Sequence, residues 1–228
     1  MTGSLVSPAT RQRVRDLATP IATALGRLGL TPNALTLIGF VGTCVAAVAA
    51  ANQWWLAAGV LVLLFGIFDL FDGTLARATG QATKLGAFLD STFDRAGEGI
   101  VYVGIAAGCL AAVFPDGAVL AAAALAASSL VPYTRAKAEG LGFASGSGMA
   151  NVGLAPREVR LAILSLGLLG AGLLDRDLVA FTYALTPGAS GLTAAGTAIA
   201  GALGLITILA TITTVQRILV VRAQAREG

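Results

Sequence analysis

Four aspartates, Asp69, Asp72, Asp90 and Asp94, stand inside sequence that is otherwise strongly apolar. Ionised carboxylates at hydrocarbon depth are costly and persist where something cationic holds them. Asp69 and Asp72 are three residues apart and Asp90 and Asp94 four apart, so on helices each pair shares a face. Gly86 extends the second face by one more turn. All-oxygen donors suit magnesium or manganese rather than zinc or copper. Four acids can bridge two ions, and two-ion sites polarise phosphoryl oxygens. Gly73 and Gly86 leave the backbone approachable, and Arg77 can pair with a phosphate. One competing reading is a set of buried ion pairs with Arg77, Lys84 and Arg95, but the acids outnumber the basic partners at that depth. Another is a cation pathway through the membrane, which leaves the glycines and Arg77 without a task.

The elements that must position these acids are membrane helices. The chain has 228 residues, 56% hydrophobic and 12% charged, too poor in charge for an ordinary soluble domain. Its apolar runs reach the roughly 20 residues a membrane span needs. An amphipathic helix over 8–28 carries Val14, Leu17, Ile21, Leu25 and Leu28 at helical spacing, with Arg11, Arg13, Arg15 and Arg27 beside them. This suits an anionic membrane surface, or a solvated arm packed on the same protein, and Pro20 is expected to kink it. Spans are predicted over about 34–51, 55 to beyond 72, 85–114, 118–135, 157–174 and 192–221. Pro115, Asp116 and Gly117 read as a turn, and Trp54 and Trp55 as an interfacial pair. The loop 140–156 is rich in Gly and Ser, and 178–191 is a short apolar stretch of open role. The expected fold is thus an all-α integral membrane protein of six transmembrane helices, a single domain over 1–228 with its bundle at 32–221.

Six spans place both termini on one side. Arg11, Arg13, Arg15, Arg27, Arg77, Lys84, Arg135, Lys137, Arg157, Arg160, Arg217, Arg222 and Arg226 fall on that side, and Arg176 on the other. The positive-inside rule makes the basic side cytoplasmic, which puts the acids at the cytoplasmic ends of the second and third spans. Those consecutive spans are expected to be antiparallel neighbours with their acid pairs facing each other.

The absence of histidine excludes Ser-His-Asp catalysis and His-ligated zinc. Cys44 and Cys109 lie in apolar runs and read as packing residues. The polar, arginine-bearing N-terminus does not read as a signal peptide. The formal charge of +3 is too small to argue from, and no nucleic-acid partner is expected.

The pattern Asp-x2-Asp-Gly-x2-Ala-Arg-x8-Gly-x3-Asp-x3-Asp, from Asp69 through Gly73, Ala76, Arg77 and Gly86 to Asp94, resembles the signature of the CDP-alcohol phosphotransferases at every fixed position. The resemblance extends to the six-span layout, the N-terminal helix and the entry from Thr31 to Thr36. It implies a multi-pass enzyme of the cell membrane, usually a homodimer, with its active site at the cytoplasmic interface. It implies that Asp69, Asp72, Asp90 and Asp94 bind two metal ions (magnesium, with manganese as an option), and that Asp94 is also the general base. Asn33, Ala34, Leu35, Thr36, Gly73, Arg77, Thr83 and Gly86 would hold the CDP-lipid donor. An alcohol deprotonated by Asp94 would attack the lipid-side phosphorus and release CMP.

Arg135, Arg157, Arg160 and Arg217 address the acceptor, since converging cations suit a phosphorylated polyol. This region is similar to the phosphatidylinositol-phosphate synthases of actinobacteria and related archaeal enzymes. It departs from them where Pro156 and Val159 precede Arg157 and Arg160 in place of acids. The expected acceptor is inositol phosphate, with glycerol 3-phosphate the competitor.

Overall fold

The computed structural model describes residues 8–112, 114–143, 152–174 and 193–227. The 178–191 stretch and residues 144–151 of the Gly/Ser loop lie outside the described residues. Within them the regular elements are helices: α1 Pro8–Arg27, α2 Pro32–Ala51, α3 Trp55–Ala78, α4 Lys84–Ala111, α5 Pro115–Gly140, α6 Arg157–Leu174 and α7 Ala194–Glu227.

Local chemistry explains where several helices start. Thr31 caps α2, its hydroxyl accepting the Ala34 N–H at 3.2 Å, with Pro32 in the first turn. Thr83 caps α4 in the same way, accepting from Gly86 N at 2.9 Å. Pro115, Asp116 and Gly117 are not a turn but the first turn of α5. Proline lacks an N–H where no intrahelical partner exists, so it opens this helix at no cost in hydrogen bonds. Pro20 sits inside α1 without ending it.

Among the described residues, four helices are long and apolar enough to cross a membrane: α2, α3, α5 and α7. The other long helix, α4, carries Asp90, Asp94, Arg95 and Glu98, and α6 opens on Arg157, Glu158 and Arg160. Exposed leucine, isoleucine and valine side chains cover the outside, among them Leu37, Val41, Val45 and Val48 on α2. This is an all-helical membrane protein.

The packing closes into a ring in the order α2, α4, α5, α7, α6, α3 and back to α2, with α1 leaning on α3. The consecutive helices α3 and α4 are therefore not packed neighbours, contrary to the expectation from sequence order. Helix α2 packs on both and stands between them in the ring. The reason lies in small residues: α2 and α4 meet where Gly104 lies against the Ala47 carbonyl and Gly108 against the Ala50 carbonyl. A β-carbon at Gly108 would also come within 2.6 Å of the Trp55 ring. Trp55 is 5% exposed and belongs to the main core, whereas Trp54 is 65% exposed. The two tryptophans are thus not an interfacial pair, because adjacent residues at a helix start point in different directions.

Replacing Gly104 with leucine forces α2 and α4 apart. We expect a loss of about 1–3 kcal/mol of stability, read as a lower unfolding temperature in detergent. The same change at Gly140, which has nothing within 4 Å of a built β-carbon, is expected to leave that temperature within about a degree, since surface changes away from contacts are small.

In α5, Ala121 and Ala124 are fully buried, small residues that permit close helix packing. Cys109 is buried in the core and Cys44 half-buried, both as free thiols. In α1 the small face is the packed one. Ala18 and Ala22 join Leu35, Phe71 and Leu75 in a second core, while Leu17, Ile21 and Leu28 remain exposed.

Candidate active site

A cavity of about 1080 Å³ opens inside the ring. Helix α3 contributes Asp69, Asp72 and Arg77 to its wall, and α4 contributes Asp90, Asp94 and Glu98. Helix α5 adds Arg135, α6 adds Arg157 and Arg160, and α7 adds Arg217. The separation of α3 from α4 creates this space, and the acid pairs line it from two sides.

Three of the four acids have defined neighbours. Asp72 is 3% exposed, accepts the Thr36 hydroxyl at 2.6 Å and receives the Gly73 N–H. Asp69 and Asp94 share the guanidinium of Arg157, which is 3.0 Å from Asp94 Oδ1 and in contact with Asp69 Oδ2. Asp69 Oδ2 is buried without an aligned hydrogen bond. Gly39 of α2 lies so near Asp69 that a β-carbon there would come within 3.3 Å of Oδ1.

Among the described residues no three acid side chains close tightly around one point; Arg157 stands between two of them. The donor set nevertheless fits a hard divalent ion. All four aspartates present carboxylate oxygens to the same cavity, and Asp69 Oδ2 is a buried acceptor without an aligned donor.

The residues read as donor contacts gather at one end. A β-carbon on Gly86 would meet Thr83 Oγ1 at 3.1 Å and Asn33 Oδ1 at 3.2 Å, so the starts of α2 and α4 adjoin. Arg77 reaches back beside Gly73 and donates to Thr74 Oγ1 at 3.4 Å. The Leu35 side chain is not available to a ligand, because it is fully buried against α1 and α3. Ala34 engages its backbone N–H in the α2 cap.

The model of the CDP-alcohol phosphatidyltransferase family matches residues 29–221 of this chain, a span that holds the cavity and every acid on its wall. The chain belongs to the CDP-alcohol phosphatidyltransferase family. Among its relatives, the archaetidylinositol phosphate synthase of Pyrococcus horikoshii is 39% identical over 154 residues, covering 68% of this chain and 77% of the relative. The phosphatidylinositol phosphate synthase of Mycolicibacterium smegmatis is 37% identical over 172 residues, 73% of this chain and 72% of the relative. The crystal structure of Mycobacterium tuberculosis phosphatidylinositol phosphate synthase with CDP-DAG bound superposes with a TM-score of 0.68 at 29% identity. That alignment covers 90% of this chain and 94% of the other.

In this CDP-alcohol phosphatidyltransferase the four arginines read as acceptor contacts divide by their partners. Arg135 is half-exposed and paired with Glu139 at 2.8 Å. Arg157 bridges the acids. Arg217 is buried, donating to the Val152 carbonyl at 3.1 Å and to that of Val131. Arg160 is 1% exposed. Its Nε and Nη2 bind both oxygens of Glu98 at 2.8 Å, and its Nη1 donates to the Ala155 carbonyl at 2.8 Å. Through these bonds Arg160 ties α6 to α4, with its side chain on the cavity wall.

Glu98 escaped the sequence reading. Its signal was present, since Asp90, Asp94 and Glu98 repeat every four residues along one face of α4. The motif simply stops being acidic aspartate at Asp94.

Proposed function

We propose that this enzyme transfers a phosphatidyl group from CDP-diacylglycerol to inositol phosphate, forming phosphatidylinositol phosphate and releasing CMP. The observation that carries the reading is the placement of Arg157. Its guanidinium lies 3.0 Å from the candidate base Asp94 and faces the same cavity as Arg135. An acceptor phosphate held there would bring its alcohol to Asp94. The relatives named as inositol phosphate lipid synthases support the same choice.

Asp94 takes the proton of the acceptor hydroxyl as its oxygen bonds to the lipid-side phosphorus. The bond from that phosphorus to the CMP oxygen breaks, and CMP leaves with the electron pair. Asp69, Asp72, Asp90 and Asp94 would hold two magnesium ions, or manganese as in a solved structure of the Mycobacterium tuberculosis relative. When bound, such ions neutralise charge building on the phosphoryl oxygens. Thr36 fixes Asp72, leaving one orientation for that carboxylate. Asn33, Thr36, Gly73, Arg77, Thr83 and Gly86 receive the cytidine and pyrophosphate.

In the same reading the six ring helices all span the membrane as one domain, α4 and α6 turning their charges inward. Helix α1 lies at the interface, its exposed Leu17 and Ile21, with Leu28 just beyond its end, toward lipid. The basic ends and both termini are cytoplasmic in the cell membrane, and two copies form a homodimer.

Purified protein with CDP-diacylglycerol and magnesium or manganese is expected to release CMP with inositol phosphate. Turnover with glycerol 3-phosphate alone overturns the acceptor, and no CMP with any alcohol phosphate overturns the mechanism.

A further inference from the structure

Residues 152–156 form a short non-helical strip that leads into α6. Val152 and Ala155 are buried in it. Non-helical backbone inside a membrane bundle must find its hydrogen bonds within the protein. Here four of its polar groups have side-chain partners. The Val152 carbonyl accepts from Arg217 at 3.1 Å. The N–H groups of Leu154 and Ala155 both donate to Thr213 Oγ1, each at 3.0 Å. The Ala155 carbonyl accepts from Arg160, which Glu98 holds in turn. Pro156 then supplies the carbonyl that accepts the N–H groups of Val159 and Arg160 at the start of α6.

Thr213 is the centre of this arrangement. It is fully buried, and its hydroxyl donates to the Leu209 carbonyl at 2.8 Å while accepting twice from the strip. That uses the complete capacity of a hydroxyl, one donor and two acceptor positions. Gly153 matches it from the other side. Its φ of +126° is one that side chains rarely adopt, and a β-carbon there would strike Thr213 Cγ2. Thr207 on the same helix shows the ordinary alternative, with its hydroxyl bonded back to the Leu203 carbonyl at 2.8 Å.

We propose that Thr213 is a positioning residue for the acceptor site: its hydroxyl anchors the strip 152–156 to α7 and so sets where Arg157, the next residue, meets Asp69 and Asp94. The proposal rests on the reading that Arg157 contacts the acceptor phosphate. Residues assigned to the donor lie on α2, α3 and the start of α4, none of which Thr213 touches through these bonds.

The test compares steady-state kinetics of full-length Thr213→Val, Thr213→Ser, Thr207→Val and Arg157→Gln, with inositol phosphate and CDP-diacylglycerol varied separately. Valine keeps the shape of threonine but leaves one buried and one part-buried N–H group without an acceptor. The acceptor KM of Thr213→Val is expected to rise about tenfold, with the CDP-diacylglycerol KM within about twofold of wild type. Thr213→Ser restores the acceptor KM, and Thr207→Val does not change it. If the valine variant does not fold, Thr213→Ala, which leaves room for water at the two N–H groups, carries the same comparison. A raised acceptor KM in Arg157→Gln with none in Thr213→Val overturns the positioning role alone. Donor and acceptor KM rising together in Thr213→Val also overturns it, because that is general loosening. An unchanged acceptor KM in Arg157→Gln overturns the acceptor reading and the proposal with it.

Discussion

Asp94→Asn is expected to lower the rate of CMP release by about 10²–10⁴-fold, the usual contribution of a positioned general base, while CDP-diacylglycerol binding stays measurable. Asparagine has the shape of aspartate but does not take the proton of the acceptor hydroxyl. Asp94 has a second attachment, the contact of its Oδ1 with Arg157 at 3.0 Å. The asparagine oxygen can still accept that hydrogen bond, so the arginine need not move far. The donor contacts at Asn33, Thr83 and Gly86 lie near the helix starts and are not altered. Turnover and donor binding are therefore expected to separate. Wild-type turnover in Asp94→Asn removes Asp94 from the role of base. Loss of donor binding along with turnover assigns it to holding the donor instead.

Glu98→Ala is expected to be the most destabilising single change at the site. Glu98 is the partner of a fully buried arginine: Arg160 is 1% exposed and loses two bonds of 2.8 Å. Arg95, 3.7 Å from the same carboxylate, loses its partner as well. Breaking one side of a buried ion pair costs about 3–5 kcal/mol, since the remaining charge stays buried without compensation. The expected readout is a large fall in unfolding temperature of the detergent-solubilised protein. A double change, Glu98→Met with Arg160→Met, is expected to recover more than half of that fall, because neither charge is then left unpaired. If Glu98→Ala unfolds at the wild-type temperature, the pair does not hold α4 to α6.

These two residues also mark how far the sequence could be read. Asp94 was legible because its meaning is local. Helical spacing alone places Asp90 and Asp94 on one face, and an acid in an apolar helix calls for a cation. The boundary at Pro32 is legible for the same reason, since proline suits a first turn, whereas the Thr83 cap emerged only from the structure. At Pro115 the proline was assigned to a turn, although proline in a first turn opens a helix equally well.

The partners of Arg160 and Arg217 were not legible. An arginine near a helix end can anchor at a membrane surface, bind a phosphate or pair internally, and all three look alike in one sequence. The choice was made by contacts across 62 residues for Arg160 with Glu98 and 65 for Arg217 with Val152. Thr213 was still less visible, being one threonine among several in an apolar helix, singled out only by a strip 58 residues away.

The sequence by itself determined the class of protein and the chemistry of the acid motif, since hydropathy and helical periodicity act over single helices. Only the tertiary structure decided that α3 and α4 stand apart with α2 packed on both. Glycine-mediated approach of α2 to α4, a long-range packing event, opens the cavity between the acid pairs. It also separated Arg157, which bridges two of the acids, from Arg160 on the same cavity wall, which the bundle uses to hold itself together.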